Sequence, residues 1–182
     1  AMTGYLKAVP EGNALFRLSI PNSEIRIMMA ARMESLVRFD SGSYQDFCNA
    51  VLEGRIDDIE MILGRILRQG SYWNLRDETS YELVIMAVLY GIAGSYDVRT
   101  ESEAGNGRVD IIMKPKRSGI VPIVFELKKS AEEKDLEKDA RTGLEQIHEK
   151  RYYLGMEGPV LLYGISFWGR IPFIVHERLE LR

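Results

Sequence analysis

A long charged segment lies between two groups of short apolar runs, and this order constrains the fold more than any other feature of the chain. The segment extends from Ser130 to about Tyr153, and Ser130-x-x-Glu133 at its start is a capping-box pattern that predicts a helix. Apolar strands are predicted before it over 108–113 and 120–127, and after it over 160–167 and 171–176. A helix that crosses between strands implies at least one parallel or mixed pairing, so the sequence predicts that this half of the chain has an α/β fold.

The N-terminal part of the chain has a different pattern, in which β-prone runs are followed by amphipathic segments. Runs at 4–9 and 14–20 flank a turn of sequence P-E-G-N and predict a hairpin. Apolar residues at helical spacing then predict helices over 22–37, 44–52 and 56–67, with the S-G-S run at 41–43 as a break. We therefore expect an N-terminal hairpin and helical region over 1–70, and a second domain over 71–182 that contains the sheet.

The composition is typical of a globular protein and limits the classes of function. Apolar residues make up 46% of the chain and charged residues 28%, and the net charge is -3. A nucleic acid would therefore have to be bound by a local basic patch, since the chain has no overall positive field. The single cysteine, Cys48, cannot form an internal disulfide, which fits a reducing, cytoplasmic location. No apolar run approaches the roughly 18 residues of a membrane span, so we expect no membrane partner.

Charged residues lie in the first of the two strands that precede the crossing helix and at the end of the second. Because side chains alternate along a strand, Glu126 and Lys128 project to the same side, and Asp110 joins them if the two strands pair in the matching register. Two close carboxylates repel each other unless one is protonated or a cation lies between them, and hard oxygen ligands favour Mg²⁺ or Mn²⁺. Such a site suits hydrolysis of a phosphodiester, with the lysine orienting a metal-bound water.

Both this pattern and a pair of acids on an earlier helix also have simpler interpretations. The strand ends fit an ordinary hairpin, in which Lys128 and Lys129 protect an edge strand. Glu78 and Glu82 lie four residues apart at the start of an apolar helix predicted over 79–92. One of them could add a third carboxylate to the site, or both could simply be favourable acids at a helix N-terminus.

One face of the crossing helix carries polar side chains that suit a phosphate or an attacking water. Gln146 and Lys150 lie four residues apart, and Tyr153 follows Gln146 by seven. The same residues also fit an ordinary solvated helix face. Tyr152 and Tyr153, on the C-terminal side of Arg151, fit either the protein core or a contact with nucleic acid.

Three segments, in order along the chain, resemble the PD-(D/E)XK nuclease superfamily. They are E-A-G-N-G-R-V-D at 103–110, F-E-L-K at 125–128 and L-E-Q-I at 144–147. The chain is most similar to the nuclease-like domain that follows an AAA-ATPase-like domain in many bacterial and archaeal proteins. Segments at 20–26, 52–57 and 70–73 also resemble that branch, so the resemblance covers nearly the whole chain.

The resemblance implies an α/β fold with a restriction-endonuclease-like mixed central sheet flanked by helices, and a nuclease that depends on Mg²⁺ or Mn²⁺. It assigns Asp110, Glu126 and Glu78 to the metal. It makes Lys128 the catalytic lysine and Gln146 the glutamine of the later helix. It also implies a nucleic acid as the partner, with DNA favoured, and an AAA-ATPase-like domain as a second partner.

The chain departs from the family pattern at three positions, which leaves a second interpretation open. Glu82 stands where the branch often has histidine, Ala104 replaces a serine, and Lys150 replaces the tyrosine of helicase-associated relatives. The fold could therefore be kept as a catalytically weak or inactive module that binds nucleic acid or docks to an ATPase partner. DNA against RNA and internal against terminal cleavage also stay open. So does a homo-oligomer formed through the free edge of the hairpin.

Overall fold

The structure is a computed structural model that describes residues 7–12, 15–19, 41–69 and 78–181. The chain divides into two compact units, 1–38 and 39–182. In the first unit, β1 (Lys7–Gly12) pairs antiparallel with β2 (Leu15–Ser19), so the predicted hairpin is confirmed.

Two sequence predictions fall on residues outside these ranges. The helix predicted over 22–37 is one of them. The other is the domain boundary predicted between residues 70 and 71, which lies within the undescribed range 70–77. The division of the chain at that point stays a prediction.

The second unit contains four α-helices and five strands within the described ranges. The helices are α1 (Ser41–Glu53), α2 (Ile56–Gln69), α3 (Glu78–Leu89) and α4 (Leu136–Lys150). The strands are β3 (Tyr96–Ala104), β4 (Gly107–Pro115), β5 (Ile123–Lys129), β6 (Gly158–Trp168) and β7 (Ile171–Leu181). None of the described helices is long and apolar enough to span a membrane.

The five strands form one mixed sheet in the order β3-β4-β5-β6-β7. The pair β5 and β6 is parallel, and the other three pairs are antiparallel. Helix α4 connects the two parallel strands, as the sequence predicts for a helix that crosses between strands. The fold is therefore α/β, with a restriction-endonuclease-like mixed central sheet flanked by helices and an N-terminal helical region.

Alternation along the strands separates the core into two apolar clusters, one on each face of the sheet. On β5, Phe125 and Leu127 belong to the larger cluster with α1, α2 and α3, whereas Val124 belongs to the smaller cluster with α4. The smaller cluster consists of Val109, Ile112, Val124, Ile147, Tyr152, Val160 and Leu162. Glu126 lies two residues after Val124 on β5 and therefore projects to the same face, towards α4, from the centre of the sheet.

Two glycines allow α4 to lie directly on the sheet beside Glu126. Gly164 on β6 is the register partner of Glu126 on β5. A Cβ at Gly164 would clash with the backbone oxygen of Ala140 on α4. A Cβ at Gly143 would lie 3.3 Å from the backbone oxygen of Glu126. This close approach brings the next turn of α4, with Gln146, above the end of β5.

The structure corrects two predicted helix ends. Helix α1 begins at Ser41, three residues before the predicted start at residue 44, so the S-G-S run lies in its first turn. Helix α4 begins at Leu136, six residues later than predicted, and the capping-box prediction is wrong because Asp135 occupies the N-cap. The backbone N–H of Ser130 donates to Phe167 O at 2.8 Å, so the chain there still follows the sheet.

Candidate active site

The register of β4 and β5 brings Asp110 and Glu126 together at the point where their pairing ends. The ladder pairs Ile111 with Phe125, and the next opposing positions are Asp110 and Glu126. Asp110 Oδ2 accepts a hydrogen bond from the Leu127 N–H at 2.7 Å. The Asp110 side chain thus accepts a hydrogen bond from the main-chain N–H of Leu127, just beyond the last backbone pair of β4 and β5. The arrangement predicted from strand alternation, with Asp110 on the side of Glu126, is present.

Glu126 is a buried carboxylate in an environment that disfavours its charge. The residue is 1% exposed. Burial, and after it the negative charge of Asp110, raise the pKa of Glu126 to about 7, although Lys128 acts in the opposite direction. Lys128 Nζ lies 2.9 Å from Glu126 Oε1. Glu126 Oε2 is buried and has no hydrogen-bond partner among the described residues.

Lys128 remains a cation at neutral pH. Burial by itself would lower the pKa of the ammonium group, but its bond to Glu126 and the charges of Asp110 and Glu78 raise it above the ordinary value of 10.5. The side chain is 23% exposed, so it borders the solvent while it contacts the buried carboxylate. It can therefore offer a positive charge and hydrogen-bond donors to a group that enters the site.

Gln146 links the buried carboxylate to Tyr152. Gln146 Nε2 donates to Glu126 Oε1 and also to the Tyr152 hydroxyl, at 3.1 Å for the latter. The Tyr152 hydroxyl in turn donates to the backbone oxygen of Arg108 at 2.6 Å. Tyr152 is 1% exposed, so it is a core residue whose hydroxyl reaches the site, not a surface contact for nucleic acid.

The predicted helix face does not extend to Tyr153. Helix α4 ends at Lys150, and Arg151 has a left-handed backbone with φ 51°. Spacing by helical turns therefore fails beyond this point, and Tyr152 replaces Tyr153 beside Gln146. The Tyr153 hydroxyl instead lies 3.4 Å from His148 Nδ1. Helical spacing predicted Tyr153 instead of Tyr152 beside Gln146, because the helix was expected to continue to about Tyr153.

The β3–β4 turn is packed against the end of α4, and this contact explains its two glycines. The Asn106 N–H donates to Lys150 O at 2.7 Å. Gly105 has φ +53°, and a Cβ there would clash with the backbone oxygens of Lys150 and Arg151. At Gly107, a Cβ would lie 3.2 Å from Lys150 Cδ. The aliphatic part of Lys150 thus lies against the turn. The sequence G-N-G at 105–107 lets the backbone of the turn contact the end of α4.

The other acids singled out in the sequence lie around this centre. Glu78 Oε1 accepts from the Lys129 N–H at 3.2 Å, and Glu78 is one of the charges that act on Lys128. Glu82 is buried on α3, at 9% exposure. Glu103 is exposed and lies opposite Arg108 in the β3–β4 ladder. The metal-ligand role predicted for Glu78 stays a prediction.

The donor set fits a hard divalent cation. Among the described residues, no three His, Cys, Asp or Glu side chains lie close enough together to hold a metal. Asp110 and Glu126, at opposing positions of β4 and β5, would be protein ligands, and Glu78 stays the predicted third ligand. Mg²⁺ is commonly held by one or two carboxylates, with water and phosphate oxygens at its other positions. The buried and unpartnered Glu126 Oε2 is an oxygen donor of the required kind.

Comparison with known proteins identifies the family. The model of the PD-(D/E)XK nuclease superfamily matches residues 76–177, which is more than half of the chain. The match contains the two carboxylates, the lysine and the α4 glutamine described above. Comparison with curated proteins gives no match. Members of the superfamily typically use divalent metal ions, and the family suggests a nuclease-type function. The chain belongs to the PD-(D/E)XK nuclease superfamily.

Proposed function

We propose that this protein hydrolyses phosphodiester bonds in nucleic acid, with DNA as the favoured substrate, and that it requires Mg²⁺ or Mn²⁺. The observation that carries the proposal is the position of Glu126, which is 1% exposed and has one oxygen without a hydrogen-bond partner. A buried carboxylate beside a second carboxylate is costly for a fold. A site that must bind a cation accounts for keeping both.

Asp110 and Glu126 would hold the ion at the end of β5. Both are oxygen ligands, which Mg²⁺ and Mn²⁺ prefer over the softer ligands. A bound ion supplies Lewis-acid polarisation of a phosphate oxygen and lowers the pKa of a coordinated water. The bond from the Leu127 N–H keeps Asp110 in place, since its Oδ2 accepts at 2.7 Å.

Lys128 would stabilise the negative charge that develops on the phosphate. Its ammonium group stays protonated, because Glu126, Asp110 and Glu78 raise its pKa above the ordinary value despite burial. It therefore acts as a hydrogen-bond donor and a positive charge that can orient the attacking water, and does not act as a base. Gln146 also holds Glu126, because its amide N–H donates to Glu126 Oε1.

A cleavage assay with a matched control tests the proposal. The protein is incubated with single- and double-stranded DNA and RNA, with Mg²⁺ or Mn²⁺ and in parallel with a chelator. We expect cleavage only with the ion and its loss in Glu126→Ala. Glu132→Ala is the control, because Glu132 also stands two residues before a lysine that it contacts, but its side chain is 63% exposed. Absence of metal-dependent cleavage, or equal activity of the two variants, would refute the proposal.

The partner of the domain is a separate part of the proposal. The resemblance of segments 20–26, 52–57 and 70–73 to domains that follow an AAA-ATPase-like domain supports an ATPase of that class as the partner. Addition of such an ATPase with ATP is expected to raise the rate of cleavage. An unchanged rate together with no complex in size-exclusion chromatography would reject this part and leave the nuclease proposal standing.

A further inference from the structure

We propose that Tyr152 is a positioning residue for the site, because its hydroxyl sets the orientation of the Gln146 amide and, through it, that of the Glu126 carboxylate. The inference deepens the proposed nuclease function and rests on it for its consequence in metal binding. The hydrogen bonds themselves exist without a metal, so they can be tested separately.

The direction of the Tyr152 hydroxyl is fixed by its partner on β4. A backbone carbonyl can only accept, so the bond to Arg108 O at 2.6 Å takes the hydroxyl proton. The hydroxyl oxygen is then left to accept, and Gln146 Nε2 lies 3.1 Å from it. The NH₂ end of the Gln146 amide must therefore face Tyr152, and a reversed amide would place two acceptors against each other.

The amide orientation decides which oxygen of Glu126 is occupied. The same Gln146 NH₂ group donates to Glu126 Oε1, and Lys128 Nζ also donates to Oε1, at 2.9 Å. Both donors thus engage one oxygen and leave Oε2 without a partner among the described residues. An amide turned the other way would present its oxygen to the carboxylate and push it out of this position.

The hydrogen bonds from Glu126 through Gln146 and Tyr152 to Arg108 O form a relay, which also connects the two strands that supply the carboxylates. Arg108 precedes Asp110 by two residues on β4, and Gln146 contacts Glu126 on β5. Tyr152 follows the end of α4, which the β3–β4 turn holds through the bond from Asn106 to Lys150 O. Tyr152 therefore ties the strand of one carboxylate to the helix that touches the other.

The role of the Tyr152 hydroxyl can be tested separately from the packing of its ring. The Tyr152 ring packs in the smaller apolar cluster with Val109 and Ile147 and is 1% exposed. A Tyr152→Phe substitution keeps that packing and removes the hydroxyl alone. Tyr163→Phe is the matched control, because Tyr163 is also fully buried and its hydroxyl donates to a backbone oxygen, that of Val51, away from the site.

The first measurement uses the metal-free protein and NMR of glutamine side-chain amides. In the wild type, the Gln146 amide protons are expected to exchange at least about 10-fold more slowly than those of exposed Gln45, because both hydrogen-bond partners of Gln146 Nε2 belong to buried residues. We expect Tyr152→Phe to remove most of this protection and to shift the Gln146 resonances, and Tyr163→Phe to change neither. Gln146 exchange equal to that of Gln45 in the wild type would overturn the proposal without any variant.

The second measurement is the dissociation constant for Mn²⁺. Loss of an outer-shell partner typically weakens a metal site by about 10–100-fold, so Tyr152→Phe is expected to raise the constant at least about 10-fold and Tyr163→Phe less than about twofold. In a Gln146→Ala background, adding Tyr152→Phe should change the constant less than about twofold, because the tyrosine acts through Gln146.

The outcomes separate this inference from the proposed function. A tenfold effect of Tyr152→Phe that persists in Gln146→Ala, or equal effects of the two tyrosine variants, would overturn the positioning role. A wild type that neither binds Mn²⁺ nor cleaves nucleic acid would refute the proposed function. In that case the exchange of the Gln146 amide still decides whether the relay exists.

Discussion

The chain carries the E-x-K spacing twice within nine residues, and the two copies differ in burial and surroundings. Glu126 and Lys128 end a central strand, whereas Glu132 and Lys134 lie at the 3₁₀ turn before α4. Both pairs form ion pairs, at 2.9 Å and 2.6 Å. The side chains of the first pair are 2% and 23% exposed for Glu126 and Lys128, and those of the second 63% and 73% for Glu132 and Lys134.

The difference shows that the E-x-K spacing is enough to form an ion pair, whereas the surrounding residues decide whether the pair can act as a chemical site. Glu126 has Asp110 beside it, and its carboxylate also accepts from Gln146. At the second pair, water solvates both charges, and an exposed ion pair contributes about 0–1 kcal/mol to stability. If this comparison is right, equivalent substitutions in the two pairs must have very different effects.

The largest expected effect is the loss of activity in Lys128→Ala. Removal of a positioned donor from a site that stabilises developing charge costs about 10²–10³-fold in rate, so we expect cleavage to fall by roughly that factor. Lys134→Ala removes the equivalent lysine of the exposed pair and should retain cleavage within about twofold, as is usual for a surface substitution. Single-turnover cleavage rates measure both. Similar losses in the two variants would show that burial and neighbouring residues do not distinguish the two pairs.

A second effect concerns the close packing of α4 on the sheet beside Glu126. In Gly164→Ala, the added methyl group would clash with the Ala140 backbone oxygen, so α4 has to move away from β6. We expect a decrease of about 3 kcal/mol in the free energy of unfolding, because neither backbone can yield easily. Gly94→Ala is the control, since its Cβ would meet nothing within 4 Å. Urea denaturation measures both, and equal stabilities would mean that α4 does not lie closely on the sheet.

Glu126→Gln is expected to stabilise the metal-free protein at alkaline pH. The folded-state pKa of about 7 lies above the ordinary 4.5, so the protonated form favours folding. This contribution is present below pH 4.5 and is lost as the pH rises through 7. A neutral glutamine avoids the loss, which amounts to about 3 kcal/mol for a rise in pKa from 4.5 to about 7, at 1.36 kcal/mol per unit of pKa.

Denaturation in the presence of a chelator, from pH 4.5 to pH 8.5, gives the difference between Glu126→Gln and the wild type. We expect it to be small at the acid end and to grow through pH 7. The cleavage activity of Glu126→Gln is expected to be lower than that of the wild type, because the variant lacks the charged metal ligand. A difference that does not vary with pH would show that the Glu126 carboxylate is not buried as described.

The fold could be predicted largely from the sequence because its signals are local. Strand parity put Glu126 and Lys128 on one side, and the structure shows both at one site with Asp110. The order of strands around the crossing helix predicted at least one parallel or mixed pairing, and the pair β5 and β6 is parallel. These inferences need only the alternation of side chains and the length of a connection.

The rest depended on contacts between distant segments, which spacing does not encode. Helix α4 ends at Lys150 because the chain turns at Arg151, and this single turn replaces Tyr153 by Tyr152 beside Gln146. The close approach at Gly164 joins α4 to a strand that follows it in sequence. Burial, which separates the two E-x-K pairs, also arises only when the sheet and helix are assembled.

The smallest expected effect is that of Glu132→Gln, which removes the charge of the exposed glutamate. Glu132 is 63% exposed and contacts Lys134, so loss of its charge should change the free energy of unfolding by less than about 0.5 kcal/mol. The difference from the wild type should also stay nearly constant across the pH range in which the effect of Glu126→Gln grows. The same chelator titrations measure it. A pH-dependent gain in stability similar to that of Glu126→Gln would mean that burial is not what distinguishes the two glutamates.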